Sequence, residues 1–287
     1  MILITGATGQ LGTAVIHQLL QKIPASQIAA FVRNETKATN LIQQGVTLRV
    51  GTYDDINALD RAMQGIETVL LIAGTDEENR VHQHQHVVDA ARKARIQRIA
   101  YTSRALKDPA TLVNPLMNGH VQTEDYIKAS GITYTLFQNS LYMDAIPQFV
   151  GGDAVFERGI SVPAGQGRVA LALRSEMGEA IANSMASNAK GNLTYQFTGR
   201  ASYSFYEVAA ALTDLSGKSV TYTPAEPVTF EAQLIGRGLP PLVARRIVGF
   251  ITDIANGQED VISHDLEKLL GRKPTALKEG LTLLYNL

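Results

Sequence analysis

The residues with the clearest chemistry in this chain are glycines. Gly6-Ala7-Thr8-Gly9-Gln10-Leu11-Gly12 stands where an apolar run, Ile2–Thr5, passes into a stretch with Leu11, Val15 and Leu19 at helical spacing. In that strand-turn-helix setting, Gly6 permits a tight turn, Gly9 lets backbone approach a pyrophosphate, and Gly12 lets helix and strand pack closely. The helix N-terminus meanwhile offers unpaired N–H groups to the anion. About 20 residues past such a turn, a dinucleotide-binding domain reads the adenosine ribose: an acid accepts from a 2′-hydroxyl, whereas an arginine accommodates a 2′-phosphate. This chain has Arg33 there, closing Phe31-Val32-Arg33-Asn34, with Lys37 a helical turn further on. NADP(H) is therefore expected over NAD(H). Tyr53-Asp54-Asp55 has two readings, a border to the adenine or simply the start of a helix.

Other chemistry-bearing residues read as bland. His82-Gln83-His84-Gln85-His86 looks like a metal cluster, but on a helix His82 and His86 share a face while His84 points away, and no carboxylate completes a site. No metal is expected. Ser103 lacks the G-x-S-x-G elbow of a hydrolase nucleophile. Arg245-Arg246 is a short basic patch, solvated or paired with nearby acids.

The elements that must hold these residues follow from the pattern around them. The first half alternates β-branched runs with amphipathic stretches, the mark of parallel βαβ units. Strands are expected at Ile2–Thr5, Ile28–Val32, Thr47–Val50, Thr68–Ala73, Arg98–Thr102 and Tyr134–Gln138, with helices at Ile56–Gln64, His82–Ala94 and Gly119–Ala129. Pro24 stops the first helix. Beyond about Leu141 the regularity breaks at Gly151-Gly152, Gly159, Pro163, Gly165 and Gly167, which read as loops around a ligand. A helix is expected at Ser175–Ala186, a strand at Thr194–Phe197 and a helix at Ser204–Leu215. From Phe230 onward the chain reads as helical, interrupted at Pro240-Pro241, with Ser263 as a cap for Leu266–Leu270.

Composition bounds the function. At 287 residues the chain suits one large unit or a main domain with a smaller partner, against a prior of about 150 residues per domain. Lys+Arg 26 against Asp+Glu 27 leaves a net charge of -1, so no whole-chain field draws it to nucleic acid. With Cys 0, disulfides, thiolate nucleophiles, zinc–thiolate sites and iron–sulfur clusters are excluded, and any redox chemistry is borrowed from a cofactor. No run approaches the ~18 apolar residues of a membrane span, and the N-terminus reads as a first strand rather than a signal peptide. A cytoplasmic address is expected.

The glycine turn and Arg33, taken with Ala100-Tyr101-Thr102-Ser103, His120-x-x-x-Glu124, Tyr134-Thr135-Leu136-Phe137-Gln138-Asn139 and Asp265-Leu266-Glu267-Lys268-Leu269-Leu270-Gly271, resemble the NmrA-like branch of the atypical short-chain dehydrogenases over essentially the whole chain. Within it the likeness is to bacterial type 2 quinone oxidoreductases and triphenylmethane reductases. The resemblance implies a Rossmann-type doubly wound parallel sheet in the order 3-2-1-4-5-6-7 with a smaller, mainly helical substrate domain and a cleft between them. It divides the chain into 1–142 plus roughly 169–218 for NADP(H), and 143–168 plus roughly 219–287 for substrate.

The resemblance also implies roles. Gly6, Thr8, Gly9, Gln10 and Leu11 hold the pyrophosphate of NADPH or NADP+, and Arg33 the 2′-phosphate; Gly12 and Lys37 join the cofactor-binding set by their place in the turn and after Arg33. Ile72, Ala73 and Gly74 lie by the nicotinamide-side ribose. Thr102 and Ser103 close strand five, while Gln138, Asn139 and Tyr142 end strand six near the nicotinamide. Thr52 departs from the Asp that relatives often carry after strand three. The partner implied is a small aromatic substrate, and a homodimer is compatible with the branch.

The wider superfamily protonates its product from a Tyr-x-x-x-Lys pair, and no Tyr in this chain has a Lys four residues later. The nearest substitute is His120 with Glu124, one helical turn apart. It reads equally as a proton donor or nicotinamide-orienting group, and as a polar residue at a helix start. Without a dedicated acid, an acceptor that needs hydride and little else is expected: a triphenylmethane dye cation such as malachite green or crystal violet, or a quinone. His120, Gln138 and Tyr142 are the candidate catalytic residues, and Met117, Tyr142, Met143, Phe149 and Phe156 are apolar enough to line a flat substrate site or to be core. The alternative is an NADP(H)-sensing regulator of the same family that binds without turnover.

Overall fold

A chain that alternates short apolar strands with amphipathic helices buries both faces of its sheet by winding helices over each. The computed structural model describes residues 1–112, 114–187 and 189–287. Its strands are β1 (Ile2–Ile4), β2 (Ile28–Val32), β3 (Thr47–Val50), β4 (Thr68–Leu71), β5 (Arg98–Arg104), β6 (Thr133–Asn139), β7 (Arg168–Val169), β8 (Leu193–Phe197) and β9 (Tyr203–Ser204). Seven of them form one sheet in the order β3-β2-β1-β4-β5-β6-β8. That is the expected order; its last member is eighth in the chain because β7, too short to show a period, precedes it. The β1–β2, β2–β3, β1–β4 and β4–β5 pairings are parallel, and β7 pairs antiparallel with β9.

The helices are α1 (Gln10–Leu19), α2 (Thr39–Gln43), α3 (Ile56–Ala62), α4 (Arg80–Lys93), α5 (Pro115–Ala129), α6 (Ile146–Val150), α7 (Val155–Arg158), α8 (Arg174–Ala186), α9 (Phe205–Ser216), α10 (Pro227–Gly236), α11 (Pro241–Ala255), α12 (Asp265–Leu270) and α13 (Leu277–Tyr285). Among the described residues none is long and apolar enough to cross a membrane. α5 begins at Pro115 rather than at Gly119. Pro suits the first helical position, and the Asn114 side chain accepts from the Leu116 N–H at 3.0 Å. The stretch read as loops also holds α6 and α7, whose ends are turned by Gly151 (φ 96) and Gly159 (φ 71), the left-handed region open to glycine.

The chain forms two compact units. The first comprises Met1–Arg104, Gly119–Gln138 and Arg174–Tyr195; the second comprises Ala105–Asn118, Asn139–Leu173 and Gln196–Leu287. In the first, Leu3, Val69, Leu71, Ile99 and Tyr101 stand on one face of the sheet and bury against Leu59, Val87, Val88, Ala91 and Ile127 of α3, α4 and α5. On α8, a Cβ at Gly178 would press on Ala14 Cβ of α1, so these helices approach closely. In the second unit, Leu141, Val169, Leu171, Phe205, Val208 and Leu212 share one buried cluster with Leu277, Leu281 and Tyr285. That shared cluster is why α9 and residues 169–173 belong with the second unit, whereas the sequence-based division groups them with the first.

Candidate functional site

In the first unit the strand order reverses between β1 and β4, the place where open α/β sheets bind ligands. β1 leads into the glycine turn. Gly6 adopts φ +59, and the Gly9 N–H returns to the Gly6 carbonyl at 2.9 Å. A methyl on Gly12 would run into that same carbonyl oxygen, so helix and turn touch backbone to backbone. α1 then starts from Gly9 with no side-chain cap and no acid in its first turn. Its first N–H groups are thus left to an anion, with the helix dipole favouring one. Thr8, Gly9 and Gln10 are exposed, whereas Leu11 and Gly12 are buried, so those two offer backbone only.

Arg33 leaves the end of β2 and is exposed, as is Lys37 in the following 3-10 turn (Glu35–Ala38). Asn34 fixes that turn by accepting from the Thr36 N–H at 2.9 Å. Neither Arg33 nor Lys37 has a hydrogen-bond or ion-pair partner among the described residues, which leaves two cations open to a phosphate. Arg33 also lies near Tyr53, whose phenol burial pushes up to about 12 against the opposing influence of a Thr5 hydrogen bond and the Arg33 charge. Tyr53 stacks on Phe31 with centroids 6.2 Å apart. Of the two readings of Asp55, the helix start is present: it caps α3 by accepting from the Ala58 N–H at 2.9 Å.

Where β4 ends, Ile72, Ala73 and Gly74 lie beside the glycine turn; a Cβ on Gly6 would sit 3.2 Å from Ile72 Cβ. Their N–H groups donate in turn to Thr5 Oγ1, Thr102 Oγ1 and His84 Nε2, each at 3.0 Å. Thr102 therefore serves this segment from beneath, and Ser103 beside it is buried. His84 is the histidine expected to point away from its neighbours. It does, into the core, while His82 and His86 pair on the other face with ring centroids 4.2 Å apart. Among the described residues no group of three or more His, Cys, Asp or Glu could hold a metal ion.

His120 is in the second turn of α5 and buried, not at an exposed helix start. Its Nε2 lies 3.3 Å from the buried Arg80 guanidinium, which only donates, so the neutral ring carries its proton on Nδ1 and gives it to Tyr101 Oη at 2.9 Å. Burial above all, then Arg80 and Arg104, holds its pKa well below the usual histidine range. Glu124 turns elsewhere, accepting from Gln138 Nε2 at 2.9 Å and pairing with Lys128 at 3.2 Å. In the second unit, Asn139 is buried, donates from Nδ2 to Tyr142 Oη at 3.3 Å, and keeps Oδ1 without a hydrogen-bond partner. Met143, Phe149 and Val155 are core residues of that unit, and Phe156 packs against them.

Thr5, Arg80, His84 and Thr123 escape a reading of the sequence, although each is buried at these strand ends. Their one visible signal is a polar residue at a position where the helical or strand period calls for an apolar one.

Comparison with known proteins gives a consistent result. The sequence pattern of the NmrA-like family matches residues 1–284. The chain is 38% identical over 287 residues to quinone oxidoreductase 2 of Escherichia coli, covering 100% of this chain and 99% of that protein. A structure of triphenylmethane reductase from Citrobacter sp. complexed with NADP(H) matches with a TM-score of 0.92 at 37% identity, covering 99% of this chain and 100% of that one. A structure of an NADPH-dependent quinone oxidoreductase of Escherichia coli complexed with NADPH matches with a TM-score of 0.91 at 36% identity, over 100% of both.

Proposed function

The chain belongs to the NmrA-like family, and from that premise we propose that it is an NADPH-dependent reductase that passes hydride to a planar, electron-poor aromatic acceptor, a quinone or a triphenylmethane dye. When bound, NADPH supplies a hydride that neutralises a dye cation at its central carbon with no proton, or reduces a quinone that then takes one proton from water.

The observation that carries the choice of acceptor is the state of His120. The chain has no Tyr-x-x-x-Lys pair, and its one substitute has both ring nitrogens engaged in the protein interior. A neutral, buried imidazole between Arg80 and Tyr101 orients its neighbours and supplies no proton to a reacting oxygen. An acceptor that needs little more than hydride fits such a site, and catalysis is then mostly positioning.

The residues fit the cofactor. The Gly6–Gly12 turn and the open start of α1 take the diphosphate through Gly6, Thr8, Gly9, Gln10, Leu11 and Gly12. Arg33 and Lys37, free of protein partners among the described residues, take the 2′-phosphate. Ile72, Ala73 and Gly74 face the nicotinamide-side ribose, backed by Thr102 and Ser103. Gln138, held by Glu124, serves the nicotinamide end.

The test uses NADPH deuterated at C4, mixed with the protein and with malachite green or a simple quinone. Deuterium in the leuco dye, or NADPH oxidation that depends on the quinone, is the expected result. NADPH binding without turnover on any electrophilic aromatic would overturn the reductase reading and favour a nucleotide sensor.

A further inference from the structure

Three successive backbone N–H groups leave β4, and each ends on a side chain from a different element. Ile72 donates to Thr5, which follows β1; Ala73 donates to Thr102, within β5; Gly74 donates to His84, on α4. Chain leaving a sheet ordinarily gives such donors to water or to a ligand. Here all three are consumed from within, and the Ile72 carbonyl is also engaged, by Tyr53 Oη at 3.3 Å.

The Gly74 bond has the most elaborate support. Because His84 Nε2 accepts from an amide, it carries no proton, so the ring hydrogen is on Nδ1. Nδ1 donates to Thr123 Oγ1 at 3.0 Å, and the Thr123 hydroxyl gives its own proton to the Gly119 carbonyl at 2.8 Å. Each donor and acceptor from the α5 backbone to the Gly74 amide is thereby assigned in one direction. The ring is fully buried, edge-on to Tyr101 with centroids 5.5 Å apart, which fixes its plane. Crowding does not do this work. A Cβ at Gly74 would meet only ordinary neighbours, at 3.7–3.9 Å, so the hydrogen bond decides where that backbone lies.

We infer that His84 is a positioning residue: locked by Thr123 as the acceptor of the Gly74 amide, it sets the placement of Ile72–Gly74 against the nicotinamide-side ribose. The inference rests on the reading of that segment as a cofactor contact. It separates affinity from rate, because the diphosphate and 2′-phosphate are held by other residues, while hydride transfer depends on where the nicotinamide end lies.

Three variants test it. His84→Leu keeps bulk and removes the acceptor, His84→Gln puts an amide oxygen near the place of Nε2, and Thr123→Val leaves His84 in place without its lock. The first readout is hydrogen exchange of the Gly74 amide in cofactor-free protein, followed by NMR. Protection is expected in the parent and in His84→Gln, with exchange at least about tenfold faster in His84→Leu, the size of one lost hydrogen bond. The second readout is steady-state kinetics. In His84→Leu, KM for NADPH stays within about threefold while kcat falls about ten- to a hundredfold, the scale of a misplacement near 1 Å, and His84→Gln recovers most of the loss.

Equal Gly74 exchange in the parent and His84→Leu overturns the bond. Faster exchange with unchanged kcat overturns the positioning role, and equal losses in Leu and Gln variants assign His84 to packing. If His84→Leu does not fold, Thr123→Val carries the same expectations in the same direction at smaller size. A parent protein that fails to bind NADPH overturns the functional reading and with it the positioning role, while Gly74 exchange still decides the hydrogen bond by itself.

Discussion

The strand ends of the first unit and the large cluster of the second bury different chemistry. Beside the strand ends of the first, the buried side chains are Thr5, Arg80, His84, Thr102, His120, Thr123 and Glu124, each tied to a named backbone or side-chain partner. The large cluster of the second is mainly Val, Leu, Ile and Phe, with Ala, Met and Tyr, from helices and connecting segments, running from Leu141 to Tyr285. Apolar burial is non-directional and adds up by area. A buried polar network is directional, and it is expensive wherever a partner is missing. Both units have an apolar core, and the first adds a directional polar network at its strand ends, where backbone must be held in one place.

Four experiments break or sharpen that contrast, in order of expected size. Phe230→Ala, in the fully buried cluster of the second unit, should cost about 3–5 kcal/mol by denaturant unfolding. The protein that stays folded should keep its NADPH affinity within about threefold, given the positions assigned above. A larger loss shows that the second core also sets the cofactor site.

Gly12→Ala and Gly280→Ala compare two walls. The methyl on Gly12 meets the Gly6 backbone carbonyl, while the methyl on Gly280 meets Met143 Sδ, part of a pliable side chain. The expected costs are about 3 and about 1 kcal/mol, within the usual range for overpacking, with NADPH binding lost only in the first. Equal costs would remove the distinction between rigid and yielding surroundings.

Arg33→Ala comes next. It should weaken NADPH binding about ten- to a hundredfold, the worth of charge-assisted hydrogen bonds of about 1.5–3 kcal/mol. NADH binding should change less than about twofold by calorimetry. Equal losses for the two nucleotides mean that Arg33 does not read the 2′-phosphate.

The smallest effect is that of pH. Burial first, then Arg80, pushes His84 down to about 3 from 6.5, and His120 is shifted the same way. The unfolded chain thus takes up protons that the native one refuses. Stability from these groups is fully present above about pH 6.5 and is lost as pH falls toward the native values, at roughly 1 kcal/mol per unit for each histidine. Thermal melts between pH 6.5 and 5 should show that slope, and His84→Gln should reduce it. A slope that His84→Gln leaves unchanged assigns the dependence to other groups.

What could be read from the sequence follows from distance along the chain. The stripe of Leu11, Val15 and Leu19, the glycines of the first turn and Arg33 all lie within about three dozen residues, so period and spacing carry them. The chain beyond Leu141 was harder to read. β7 has two residues and α7 four, too few to show a period, and two of the glycines there, Gly151 and Gly159, end helices. The polar network was illegible for a plainer reason. Thr5 meets Ile72 across 67 residues, Thr102 meets Ala73 across 29, and Arg80 meets His120 across 40. In each case a polar residue on an otherwise apolar element has no local pattern to announce its partner. His84 lies ten residues from Gly74, and helical spacing turns it away from His82 and His86, yet nothing in that spacing announces that its ring accepts from the Gly74 amide.

The chain passes between its two units at Arg104, Asn118, Gln138, Leu173 and Tyr195, and this threading bears on how the molecule is made. During synthesis, domains generally fold as their residues emerge. The first unit has its full complement once Tyr195 has left the ribosome, while Ala105–Asn118 and Asn139–Leu173 must wait, with Val155 and Phe149 uncovered, for α9 and finally for Leu277 and Leu281 of α13. A nascent chain halted before α13 would therefore carry a complete first unit and an unfinished second one. That half-made species is the one most exposed to chaperones and proteases.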